Sequence, residues 1–325
     1  MKRSKNTEDR VLDTILRPKT WNEFIGQEKI KHSLKIMLDS AKKRQASCDH
    51  ILFYGPSGVG KTTLAYLIAE ELSGKITRTS GPAIKKIGDM AALLTNLEDN
   101  EILFIDEIHR LNKQVEEVLY PAMEMQKLNL MIGKGVSARN LELNLPRFTL
   151  VAATTRPSLI SSPLRNRFGS INHLDFYADE EIKQILGRSG KILNIKIESK
   201  AIDTLAKASR ATPRVANRIL KRTWDLAVVR DLEEITENIA EESLKILNLD
   251  EFGLEWADRK LLDLIIKKYR GGPVGILTLA AALNEERETI EQVYEPYLLK
   301  IGFLERTNRG RIATKSAYEY FAPGI

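Results

Sequence analysis

Gly55-Pro56-Ser57-Gly58-Val59-Gly60-Lys61-Thr62 is the stretch on which the reading of this chain turns. It fits the pattern G-x4-G-K-[ST]. An apolar run, Ile51 to Tyr54, precedes it, and an amphipathic segment from Lys61 to Leu72 follows, with Leu64, Leu67, Ile68 and Leu72 on one face. Strand, glycine-rich turn and helix start together make a phosphate cradle. The glycines let backbone amides turn inward, and the first helical turn carries a partial positive charge. Gly58, Gly60, Lys61, Thr62 and Thr63 form its nucleotide-binding set, in which Lys61 meets the β- and γ-phosphates and Thr62 lends a hydroxyl to Mg²⁺.

Two further strand ends supply the chemistry that a phosphate loop lacks alone. Ile102-Leu103-Phe104-Ile105 runs into Asp106-Glu107. Paired carboxylates at the end of a buried strand need a cation nearby, so Asp106 is expected in the Mg²⁺ shell and Glu107 as the residue that orients and activates the attacking water. Phe148 to Ala153 ends in Thr154-Thr155, and Thr154 is the better placed to hydrogen-bond the γ-phosphate or the water. A β-branched residue that simply finishes a strand is the alternative. These apolar runs have the length of buried strands and alternate with helical patterns, which predicts an α/β fold built on a parallel sheet.

The division expected is a nucleotide domain over 1–178, a small helical lid over 179–253 and a winged-helix unit over 254–325. The middle segment shows helical faces (Leu186, Ile192, Leu205, Leu220, Leu226) and no strand-like run. In the last, helices over 259–269, 276–283 and 289–300 precede a hairpin around Thr307-Asn308-Arg309, the pattern of a winged helix. Two arginine settings bear on hydrolysis. Arg165 and Arg167 follow the third strand, and Arg214 sits in a first helical turn behind Thr212 as N-cap and Pro213, where a cation opposes the helix dipole.

Composition sets bounds. The chain has 325 residues with net charge +6, 43% apolar and 29% charged, enough to bury a core. One cysteine, Cys48, and four histidines exclude a disulfide framework or a spaced zinc site. No apolar run approaches the roughly 18 residues of a membrane span, and MKRSKNTEDR has no apolar region behind its charged start, so cytoplasm is expected. Between Lys300 and Lys315 five cations face one acid, which suits sequence-independent contact with a nucleic-acid backbone, or equally a solvated face.

Together these residues resemble the AAA+ ATPases, and among them the bacterial motors that drive branch migration of Holliday junctions. The shared elements run over nearly the whole chain: Leu16-Arg17-Pro18, Gly55 to Thr62, Asp106-Glu107-Ile108-His109-Arg110, Ala153 to Pro157, Pro163 to Gly169, Thr212-Pro213-Arg214, Gly271 to Gly275, and Gly302-Phe303-Leu304 with Arg306 to Arg311. The resemblance implies a hexameric ring on duplex DNA that hydrolyses ATP with Mg²⁺. It implies that Leu16, Arg17 and Tyr177 lie against the adenine end, and that Arg167, rather than Arg165, is a finger acting on the neighbouring subunit's ATP. Arg214 becomes a second sensor, and Arg287, Arg306 and Arg311 face DNA. The insert 128–143 would be a hairpin that docks a junction-recognising partner, with a junction resolvase as a further partner; by its residues alone it is as readily packed on its own domain. Ala211 stands where glycine is more usual. The competing reading is a clamp-loader-like or nucleotide-switched DNA-binding regulator that does not translocate.

Overall fold

The structure is a computed structural model and describes residues 11–72, 74–132 and 139–321. The basic start Lys2-Arg3-Ser4-Lys5 and the Gly133-Lys134-Gly135 tip of the insert lie outside the described residues. The chain forms two compact units: Arg17–Asp175, and the residues up to Leu16 together with the chain from Phe176 on.

Among its described residues the Arg17–Asp175 unit holds seven strands: β1 (Ile51–Tyr54), β2 (Ile76–Ser80), β3 (Glu101–Asp106), β4 (Lys127–Ile132), β5 (Arg139–Asn144), β6 (Phe148–Thr154) and β7 (Ser170–His173). Five pair in parallel in the order β2-β3-β6-β1-β7. The three anticipated strands are the inner ones, and every residue of β6 is buried. Both strands that the apolar runs did not reveal are edges: Ile76-Thr-Arg-Thr-Ser80 is half-buried for most of its length, and Ser170-Ile-Asn-His173 buries only Asn172. An edge strand has one covered flank at most and needs no continuous apolar run. Helices Glu28–Arg44, Lys61–Leu72, Ile87–Thr95 and Lys113–Met125 flank the strands, with a short helix at Ser162–Arg165. Leu103, Ile105, Leu119, Phe148 and Leu150 lie in one continuous core with Met90 and Val115.

Helix Lys113–Met125 is capped by the Asn112 side chain, which accepts from the Val115 amide at 2.9 Å. It buries Val115, Val118, Leu119, Ala122 and Met123 and stops at Gln126, in the left-handed region. There β4 begins and turns back antiparallel as β5, with Leu128 opposite Leu143 and Leu130 opposite Leu141. The insert is thus a hairpin. Leu128 is fully buried and Leu130 and Leu143 pack on the core, while Met131 and Leu141 stay exposed.

In the second unit the lid has four helices among its described residues: Asp179–Leu193, Ser199–Lys207, Pro213–Val229 and Glu237–Ile246. It also contains a two-residue parallel pair, β8 (Lys196–Ile197) with β9 (Glu234–Ile235), where no strand was expected. Pieces this short leave no periodicity to detect. The winged helix follows. Its helix starts at Trp256 and continues as a π-helical turn to Lys268; Ile276–Leu283 comes next, then the stretch from Arg287 to Lys300 and the hairpin β10 (Leu304–Thr307) with β11 (Gly310–Ala313). A closing helix, Lys315–Phe321, was not anticipated. Leu261, Ile265, Leu279, Ile290, Leu298 and Phe303 make the core.

Lid and winged helix are fastened inside this unit by a buried ion pair. Arg210, between two lid helices, clasps the fully buried Asp258 with both terminal nitrogens, one at 3.2 Å, stacks on the Tyr297 ring at 4.7 Å and donates to Val293 O at 3.1 Å. Arg210 and Ala211 have φ of 53° and 52°, consecutive left-handed residues. This is why a glycine suits position 211.

Candidate functional site for nucleotide and DNA

The strand register brings the reactive groups of the Arg17–Asp175 unit together. Tyr54 pairs with Thr154, and the next amide, Gly55, donates to Thr154 O at 3.3 Å, so the phosphate loop starts beside Thr154. On the other side of β6 runs β3, with Ile105 opposite Ala152, which sets Asp106 and Glu107 at the same end of the sheet. The loop bends as its glycines require: Gly55, Gly58 and Gly60 have φ of 143°, 83° and 102°. A Cβ on Gly55 would sit 2.0 Å from the Leu174 carbonyl oxygen, so no other residue fits there.

Within this loop the Lys61 ammonium donates to the carbonyls of Gly55 and Pro56 at 2.8 and 2.6 Å and is only 9% exposed. A nearly buried lysine held on neutral carbonyls is a poised cation, since an anion of higher charge binds it better than they do. Thr62 opens the following helix, at its positive end. Glu107 occupies the left-handed region at φ 49°, uncommon for a glutamate, and sparsely populated backbone of this kind clusters at active sites. Its carboxylate lies 3.5 Å from Arg110, and its amide donates to Asp106 Oδ1 at 3.0 Å. The Thr154 hydroxyl lies 2.8 Å from His109 Nδ1 and accepts from the Arg156 amide at 2.9 Å. Sequence reasoning had given His109 no role; its place three residues after Asp106 in Asp-Glu-Ile-His was the available signal.

This donor set fits a nucleotide with a hard divalent cation: an amide-lined loop, one lysine, a hydroxyl and two carboxylates at one sheet end. Of the residues expected at the adenine end or as the second sensor, Arg17 lies in this unit and stacks on Tyr66 at 4.3 Å. Leu16, Tyr177 and Arg214 lie in the second unit. The Leu16 carbonyl accepts from Arg188 at 2.8 Å, the Tyr177 amide donates to Ala211 O at 2.9 Å, and Arg214 pairs with Asp13 at 3.3 Å across exposed side chains. Thr212 holds the N-cap position but its hydroxyl turns back to Ser209 O, so it does not cap the helix through its side chain.

Comparisons with known proteins cover the chain almost end to end. Residues 16–174 match the family model of the Holliday junction DNA helicase RuvB P-loop domain, 177–250 the RuvB AAA lid domain and 251–322 the RuvB C-terminal winged helix domain. The chain belongs to the RuvB family. It is similar to solved structures of Thermotoga maritima RuvB. One, titled as the Holliday junction branch migration motor, is 50% identical over 94% of this chain and 98% of that one, with a TM-score of 0.86. A lysine-to-arginine mutant of the same protein is 49% identical over 95% and 99%, at TM-score 0.87, and an arginine-to-alanine mutant 49% identical over the same shares at 0.86. As a RuvB-family chain, this is an AAA+ P-loop ATPase of the branch-migration class, and among its described residues no helix is long and apolar enough to cross a membrane.

The RuvB winged helix places the three arginines expected at DNA in different settings. Arg306 is exposed on β10, 3.9 Å from Glu291, and Arg287 is exposed and pairs with Glu291 at 3.0 Å. Arg311 is a correction. Although it sits opposite Arg306 in the hairpin, it is 6% exposed and closes a buried pair with Glu295, one bond at 3.1 Å, with Glu291 at 3.5 Å. As register partners the two share one face of the hairpin, and both lean toward Glu291; the difference is that β11 is covered along most of its length and bridged by Val274 on its other flank, whereas β10 is exposed beyond Leu304. Arg309, counted in the basic run but given no role, is exposed in the hairpin turn. Three guanidiniums around Glu291 outweigh the burial that would raise its pKa, so its carboxyl sits below the usual value.

Proposed function

We propose that this chain works in the cytoplasm as a homohexameric ring on the duplex arms of a Holliday junction. It would hydrolyse Mg²⁺-ATP between neighbouring subunits to drive branch migration. The observation that supports this most is the convergence of the phosphate loop, Thr154 and the Asp106-Glu107 pair at one end of a parallel sheet, in a chain that carries a winged helix with an arginine-rich hairpin.

Lys61 neutralises β- and γ-phosphate charge from its loop. Thr62 and Asp106 would hold Mg²⁺, which would supply charge to offset that of the phosphates. Glu107 orients the attacking water and accepts its proton, and Thr154 hydrogen-bonds the γ-phosphate or that water. Gly58, Gly60 and Thr63 complete the phosphate contacts; Leu16, Arg17 and Tyr177 face adenine. Arg167 reaches the neighbouring subunit's γ-phosphate, and Arg214 reports nucleotide state to the lid. On DNA, Arg306, Arg287 and Arg309 follow the phosphate backbone without reading bases, which suits movement along any sequence. A RuvA-like junction-binding protein docks on the 128–143 hairpin, where Met131 and Leu141 are exposed, and a RuvC-like resolvase acts on the same junction.

The test is ATP-dependent dissociation of a synthetic four-way junction, with and without the RuvA-like protein, against Lys61→Ala and Glu107→Gln controls. Junction movement that needs ATP and is lost in both controls is expected. DNA-stimulated hydrolysis without movement under either condition would favour the nucleotide-switched regulator instead.

A further inference from the structure

The arginine that follows the third strand is not a free surface side chain. Arg167 Nη1 donates to Pro163 O at 2.7 Å, Nη2 lies 3.2 Å from Glu124 Oε2, and the guanidinium stacks over the Tyr120 ring at 4.4 Å. Its side chain is 21% exposed, and the Nε hydrogen is buried with no acceptor. By contrast Arg165, two residues earlier, is exposed. Tyr120 is itself fixed from behind: its hydroxyl donates to Glu116 at 3.0 Å and lies 3.2 Å from Ser161, which also bonds Glu116. Glu116 is 9% exposed, and Ser161 caps the short helix Ser162–Arg165 that leads to Arg167. Beside Arg167 lies a cavity of about 280 Å³ lined by Asp49, Met123, Gln126, Asn166 and Phe168.

We propose that Tyr120 and Glu124 are positioning residues for Arg167, a cradle on helix Lys113–Met125 that holds the guanidinium ready for the neighbouring subunit's γ-phosphate and then releases it. The proposal rests on the reading of Arg167 as the finger. An unheld arginine loses much rotamer freedom when it engages a phosphate, and a planar ring under the guanidinium removes part of that loss beforehand. Glu124 is 53% exposed, so its ion pair is a weak competitor for a phosphate of higher charge. The unpartnered Nε marks the stowed pose as one with hydrogen-bonding capacity still to be used, and the cavity provides room for the side chain to leave. The same helix starts just after the Ile108–Arg110 turn that follows Asp106-Glu107 and ends where the hairpin begins, so the cradle shares one rigid element with both.

The experiment uses mixed rings of full-length chains. Arg167→Ala subunits keep a competent nucleotide site but offer no finger, and Lys61→Ala subunits offer a finger but do not hydrolyse. In the mixture, turnover arises at Arg167→Ala sites served by Lys61→Ala neighbours. The cradle variants are placed only in the Lys61→Ala subunits. Tyr120→Leu there is expected to lower kcat about tenfold with KM for ATP little changed, and Glu124→Gln to lower it less. Tyr120→Phe, which keeps the ring, is expected to restore most of it. Mixtures that show no complementation before any cradle change overturn the finger itself. Full complementation with unchanged or increased kcat in Tyr120→Leu and Glu124→Gln overturns the cradle alone, and failure of Tyr120→Phe to rescue overturns the stacking role.

Discussion

Replacing Arg311 with alanine is expected to destabilise the winged helix without changing how DNA binding responds to salt. Arg311 is 6% exposed and Glu295, its bidentate partner, 2% exposed. Removing the guanidinium leaves a carboxylate out of water with its cation gone. Breaking a buried pair from one side costs about 3–5 kcal/mol, against about 5–15 kcal/mol for a whole domain. Urea denaturation followed by circular dichroism should show the loss as a lower midpoint. A double variant, Arg311→Met with Glu295→Leu, removes the orphaned charge as well and should regain most of the midpoint. The exposed Arg309→Ala should do the reverse: an unchanged midpoint, and a salt dependence of DNA affinity shallower by about 0.9 for each phosphate no longer neutralised. An Arg311→Ala protein with a native midpoint and a flattened salt slope would refute the buried-pair reasoning and return Arg311 to the DNA surface.

Two more perturbations are open to direct measurement. Ala211→Gly should stabilise the second unit by about 1 kcal/mol, seen as a higher urea midpoint, because a left-handed φ of 52° strains any residue with a Cβ. His50 is held below the usual histidine pKa chiefly by burial, against the opposing pull of its bond to Met123 O and of Asp49. Its unfolded value is the higher one, so the unfolded chain takes up the proton first. His50 therefore contributes stability that is complete above about pH 6.5 and falls as pH drops toward the lower folded pKa, by up to about 1.4 kcal/mol per pH unit. The difference in midpoint between wild type and His50→Gln should shrink over that window; a constant difference would refute it.

The placement of the candidate nucleotide site at one sheet end was legible because its residue types are dictated by local chemistry. A loop that turns amides inward must be glycine-rich, and catalytic carboxylates sit at a strand end next to it, so Lys61, Thr62, Asp106, Glu107 and Thr154 stand in linear stretches that announce their strands. Edge strands β2 and β7 and the β8/β9 pair were hidden because their residues lack the apolar run that two-sided burial demands. Arg311 was misread because charge counting along a hairpin is blind to which strand is covered, and its acid partners come from the 290s, before the turn. The Tyr120 and Glu124 contacts to Arg167 are more than forty residues away in sequence, and only tertiary packing brings them together.

The clasp between Arg210 and Asp258 has a mechanical consequence. Arg214 is four residues along from Arg210, and Asp258 lies in the first helix of the winged unit. A buried, bidentate, ring-stacked joint has little compliance, so a rotation of the lid swings the basic hairpin by an arc that grows with its distance from the pivot. A loose joint would absorb that swing as local bending and shorten the stroke delivered to DNA. Stiffness at residue 210 would then set how far DNA moves per rotation of the lid, independently of how fast the nucleotide site turns over.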